Sequence, residues 1–166
     1  MDAQRWDSLV RYAYSFGSRK AWYNFYKIEA DHDRFANINY RTIPSVGFGY
    51  WFWDKDEYKA MVETGIGWEH VDYRQSLKAK DEPVLLPRAY FEKKFFGSCR
   101  ISQEISYYPS LKQDFDYRVR AETAFASILT KAISLVMRFI DDYNSNPGEG
   151  IKKNDTRFIT ALKYSF

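Results

Sequence analysis

The sequence predicts an α+β fold: a mostly antiparallel β-sheet packed against one long helix in the C-terminal half, with shorter helices beside it. Three observations predict it. Apolar residues recur at steps of three and four through Phe125, Ile128, Leu129, Ala132, Ile133, Val136, Phe139, Ile140 and Tyr143, the spacing of a helix of period 3.6. Other segments alternate at period two and are rich in β-formers. These segments are not separated by regular full-length crossover helices, which argues against a doubly wound sheet. No repeat, low-complexity tract or linker divides residues 1–166, so the chain reads as a single domain.

From the N-terminus, Ala3 to Phe16 reads as a helix, with Trp6, Leu9, Val10, Ala13 and Tyr14 on one face and Gly17 as its stop. Trp22 to Ile28 reads equally as a strand or as a short helix capped by Ser18. Arg34 to Ile43 alternates, and Pro44 is expected to end it. Val46 to Trp53 is the strongest strand signal. Gly47 and Gly49 lie on one face, and a bare glycine face admits a large ring or another backbone. Asp54 and Glu57 predict the cap of a short helix through Tyr58, Met61 and Val62, stopped by Gly65.

Ile66 to Tyr73 reads as a strand, Gln75 to Glu82 as a polar loop, and Pro83 to Leu86 as a short extended segment. Pro87 to Phe96 reads as a short helix followed by Gly97, and Arg100 to Tyr108 alternates again. Ser110 with Gln113 forms a capping box for the long helix, 111–143 at its fullest extent, and a later start capped by Asp116 is the competing reading. Asn144 to Gly148 ends it, and Phe158 to Phe166 is the last strand. Lys131 and Arg138 interrupt the long apolar stripe, and no apolar run reaches the roughly 20 residues of a spanning helix, so no membrane association is expected.

The totals bound the functional classes. The formal charge is +3, weaker than the concentrated excess of a dedicated nucleic-acid module. Cys99 is the single cysteine, which excludes an internal disulfide framework. Residues after Met1 lack an apolar leader core, so a cytoplasmic setting is expected. The composition is otherwise ordinary except for its aromatics: 14 Tyr, 13 Phe and 5 Trp.

No catalytic constellation emerges. His32 lies among Glu29, Asp31 and Asp33, but neighbours on a strand or turn do not converge on one point, and the spacing to His70 matches no metal motif. No metal or cofactor is expected. Cys99 has no base partner in sequence, and Gly47-Phe48-Gly49 lacks the third glycine of a dinucleotide fingerprint. The stronger signal is the interleaving of cations and rings. One cluster is Arg19, Lys20, Trp22, Tyr23, Tyr26 and Lys27; the other is Arg88, Tyr90, Phe91, Lys94 and Arg100.

Trp, Tyr and Arg are the usual anchors of protein interfaces. The clusters therefore predict a non-enzymatic protein-binding module of the inhibitor, immunity or adaptor kind, whose partner is another protein with an acidic contact surface. The same residues define the alternative, a binder of single-stranded nucleic acid, in which cations hold phosphates and rings stack on bases. A small hydrolase or nuclease is a third reading. The bland reading makes the rings core and the cations solvated surface.

Overall fold

A computed structural model describes residues 5–17, 20–34, 37–74, 79–112, 116–130, 132–147 and 152–164. Among the described residues there are ten strands and no helix: β1 (Arg5–Phe16), β2 (Trp22–Asp33), β3 (Ile38–Asp54), β4 (Tyr58–Tyr73), β5 (Lys80–Leu85), β6 (Arg88–Phe95), β7 (Cys99–Pro109), β8 (Tyr117–Ile128), β9 (Ile133–Asn144) and β10 (Asn154–Tyr164). The α+β expectation is corrected: the chain is all-β, one curled antiparallel sheet.

Each strand pairs with the next in sequence, except that β5 and β6 both pair with β4, end to end along its length. The sheet thus wraps as nine ranks. β1 and β10 occupy its two edges, and both run in the same direction. At one end the strands are joined through three to five residues, 17–21, 55–57, 96–98 and 129–132. The connections at the other end, 34–37, 74–79, 110–116 and 145–153, reach greater length.

The long helix is absent because its stripe belongs to the β8–β9 hairpin. The chain reverses between β8 and β9, where the Thr130 hydroxyl accepts hydrogen bonds from the backbone N–H groups of Ala132 and Ile133. Phe125 on β8 lies opposite Met137 on β9, and Thr123 opposite Phe139. Within each strand the period is two. The turn shifts the phase, and Val136 and Ile140 add apolar groups on the opposite face, so the composite mimics 3.6. Gln113, half of the expected capping box, lies outside the described residues.

The other expected helices are strands too. In β1 the residues Trp6, Val10, Tyr12, Tyr14 and Phe16 share one face, with Asp7, Arg11, Ala13 and Ser15 on the other. Asp54 ends β3 rather than capping a helix, and Gly65 sits inside β4. The segment 88–95 is β6, held by a full ladder to β7 from Arg88↔Ser106 to Phe95↔Cys99. Pro44 does not end its strand; β3 runs through it, opposite Ile28.

Among the described residues, buried apolar side chains form two small clusters on the concave side. One joins Ile43, Val84, Leu86 and Tyr108. The other joins Tyr23, Phe25 and Met61, with Trp51 and Tyr90 against it. Phe25 and Tyr23 lie over the glycine face. A Cβ on Gly47 would stand 2.6 Å from the Phe25 ring, and one on Gly49 would stand 2.3 Å from that of Tyr23. The glycines make room for the rings.

Candidate functional site: a charged interior within an apolar exterior

Strand alternation sorts the side chains into two opposite populations. On the convex side, the outward positions from Trp6 to Phe16, from Trp22 to His32 and from Tyr40 to Phe52 carry no Asp, Glu, Lys or Arg. All ten strands contribute exposed large apolar or aromatic side chains, among them Val10, Ile28, Val46, Ile66, Leu85 and Leu162.

The rings gather towards the two ends of the strands. At the end with the longer connections, Trp6 stacks on His32 at 6.2 Å, Tyr40 meets His70 at 5.5 Å, and Tyr117 bridges Tyr107 and Tyr143 at 5.6 and 5.9 Å. At the tight-turn end, Trp22, Tyr50, Phe52, Trp53 and Tyr58 form a continuous chain of ring contacts between 4.8 and 6.3 Å. Phe95 touches Phe96 and Phe125 nearby.

The concave side holds the charges. It encloses a cavity of about 630 Å³ lined by residues from all ten strands. One of its ion pairs spans the curl, and others join neighbouring strands. Arg118 on β8 lies 3.7 Å from Glu69 on β4, and Arg41 on β3 bonds Asp31 on β2 at 2.8 and 2.9 Å. Lys80 on β5 joins Asp116 at 2.5 Å and Glu82 at 2.8 Å. Arg138 forks onto Glu122 through two 2.7 Å hydrogen bonds, and Arg157 pairs with Asp142. Burial of so many ions is tolerable because each is matched by an opposite charge.

A second cluster lies deeper towards the tight turns. Glu63 on β4 is 1 % exposed at its side chain. It accepts from Arg11 on β1 at 2.7 and 3.3 Å, from Arg88 on β6 at 3.0 Å, and from the Tyr23 hydroxyl at 2.8 Å. Arg88 also reaches Glu104 on β7 at 2.6 Å. The Arg11 guanidinium lies 5.0 Å from the Phe25 ring centroid and 5.6 Å from that of Tyr23.

The two aromatic–basic clusters expected from the sequence are divided between the faces. Arg19 lies outside the described residues. Trp22 and Tyr26 point outward and are exposed, whereas Tyr23 and Lys27 point inward and are buried; Lys27 bonds Glu29 at 3.0 Å. Lys20 sits in the turn with a φ of 50°. In the second cluster Phe91 is outward. Arg88 and Tyr90 face inward, where the Tyr90 hydroxyl bonds Glu92 at 2.6 Å. Lys94 bonds Asp56 at 2.8 Å, and Arg100 lies 3.4 Å from Glu92. Residues adjacent in sequence are therefore on opposite sides of a wall one residue thick.

The histidines belong to the outer ring belt. The His32 ring nitrogen Nδ1 is hydrogen-bonded to the Asn39 carbonyl, and His70 Nδ1 lies 2.7 Å from Asp81. Among the described residues no group of three or more His, Cys, Asp or Glu is placed to hold a metal. Cys99 lies 3.5 Å from the Ser127 hydroxyl. Sequence reasoning missed Arg11, Glu63, Glu69, Arg118 and Arg138. The signal that could have found them is charge on one side of an alternating segment and rings on the other, as in Asp7 and Arg11 against Trp6, Tyr12 and Tyr14.

An all-β sheet, apolar outside and ionic inside, is the inverse of a water-soluble β-domain. The chain belongs to the DUF481 family, a family of proteins of unknown function, whose model matches residues 1–166. That membership lends no support to the inhibitor and immunity readings. No curated protein matches the chain.

Proposed function

We propose that the sheet is the wall of a transmembrane β-barrel surrounding a charged, hydrated lumen, and that the protein provides or controls passage of small hydrophilic solutes or ions. The carrying observation is the inversion of polarity across the wall. In water, a contiguous apolar patch larger than several hundred Å² marks a contact surface; here the apolar exterior extends over every strand. In a bilayer it is the required surface. Spanning barrels show apolar residues outward, polar residues inward, and aromatic girdles at both interfaces. The two ring belts support the same reading.

A bilayer also demands that every backbone group be paired. The ladders satisfy this along the sheet interior, and the edges β1 and β10 require strand partners in the membrane. No helix of the described residues is long and apolar enough to cross a membrane, a criterion that does not address strands. This reading replaces the cytoplasmic, membrane-free setting and the protein- or nucleic-acid-binding roles expected from sequence. The clusters are divided: the exposed rings Trp22, Tyr26 and Phe91 lie on the outer face, while Lys27 and Arg88 lie on the inner one.

Tryptophan fluorescence tests it. Trp6, Trp22, Trp53 and Trp68 are about half exposed on the outer side. The chain refolded with phospholipid vesicles should float with them, and brominated lipids should quench most of its emission. A chain that stays in the aqueous fraction with unchanged emission overturns the proposal.

A further inference from the structure

The interior is divided. Beside the larger cavity lies a second space of about 500 Å³, lined by Ala13, Ser15, Trp51, Lys59 and Met61 towards the tight turns. Arg11 and Arg88 line both spaces. Between them stands Glu63, held by both guanidinium groups and by Tyr23. The rings of Tyr23 and Phe25, seated over Gly49 and Gly47, lie against Arg11 beside the bridge. Side chains of five strands, β1, β2, β4, β6 and β7, thus meet at one level.

We infer that the Arg11–Glu63–Arg88 bridge is a gate, closing the lumen to ions while Glu63 is held by both arginines. The inference rests on the barrel reading and deepens it. Three features make the bridge a switch rather than filler. Its carboxylate is the common acceptor, so its loss releases two cations that then repel. Arg88 already has a second partner in Glu104 at 2.6 Å, so it has somewhere to turn. Charged rings at a constriction set both the conductance and the preferred ion sign. With Glu63 neutral, Arg11 loses its carboxylate while Arg88 keeps Glu104, so the constriction gains net positive charge and favours anions.

The test is single-channel recording of the 166-residue chain in planar bilayers. Wild type, Glu63→Gln and Arg11→Gln are compared, each first shown to float with vesicles. Wild type should pass little current. Glu63→Gln should raise conductance several-fold and move the reversal potential in a salt gradient towards anion preference. Arg11→Gln removes the other side of the bridge, leaves Glu63 paired with Arg88 and Tyr23, and should raise conductance with a shift of the opposite sign. It decides the matter should Glu63→Gln not insert. Inserted variants with wild-type conductance and reversal potential overturn the gate alone. A wild-type chain that never enters vesicles overturns the barrel reading and the gate with it.

Discussion

The ring of Tyr23 on β2 occupies the space that a side chain on Gly49 of β3 would fill, with the Tyr23 hydroxyl 2.4 Å from an ideal Cβ at that position. The glycine is what lets the phenol lie flat across its neighbour and reach Glu63 at 2.8 Å.

Gly49→Val should therefore displace Tyr23 and cost about 2–3 kcal/mol of stability through overpacking. Urea unfolding of the refolded chain in detergent micelles, followed by tryptophan emission, checks this. In the background of Tyr23→Ala the same substitution should cost clearly less, because the obstructing ring is gone.

Val46 lies outward near the middle of β3, between Ile66 on β4 and Tyr26 on β2. Val46→Arg should destabilise the vesicle-inserted protein by about 2–4 kcal/mol, the cost of arginine near the bilayer midplane. A water-exposed surface position would change by only about 0.5 kcal/mol either way. The same unfolding titration in vesicles separates the two outcomes.

Arg118 reaches across the curl to Glu69 at 3.7 Å, and Arg41 lies 4.0 Å from the same carboxylate. Arg118→Ala should cost roughly 2 kcal/mol, less than the full penalty for orphaning a buried charge, because Arg41 remains. Adding Glu69→Gln to that variant should recover part of the loss in a double-mutant cycle.

Asp56, in the tight turn between β3 and β4, accepts a 2.8 Å hydrogen bond from Lys94. That bond and the ammonium charge hold its carboxyl below the usual carboxylate range. A depressed folded-state value means that the contribution to stability is present above the ordinary carboxylate pKa. It is lost as pH falls through the lowered one. Carboxyl-selective NMR titration should show a midpoint for Asp56 below that of a model peptide, and Lys94→Met should return it to the ordinary range.

Much of the strand structure was legible in the residues themselves. Val46 to Trp53, Ile66 to Tyr73 and Arg100 to Tyr108 alternate clearly and are strands. The glycines at 47 and 49 marked the place where large rings approach. The helices went wrong for one physical reason. Apolar residues at a helical spacing imply a stripe buried against a core, whereas this fold turns its apolar side outward. In β1, Ala13 and Leu9 sit among charged inward residues and so filled in a false helical face. Across the β8–β9 turn, Val136 and Ile140 did the same. The site was harder still. Glu63 meets Arg11 across 52 positions of sequence, and no local pattern reports a contact made only by the curl of a sheet.

The end-to-end placement of β5 and β6 against the one strand β4 has a geometric consequence. Around a ring in which every neighbour runs opposite to the last, the number of members must be even. Nine ranks break that parity. A barrel closed from this sheet would join β1 to β10 as a single parallel pair, or through an odd number of additional antiparallel members. Either closure would be a junction unlike the other pairings, and the place where such a wall would be the easiest to open.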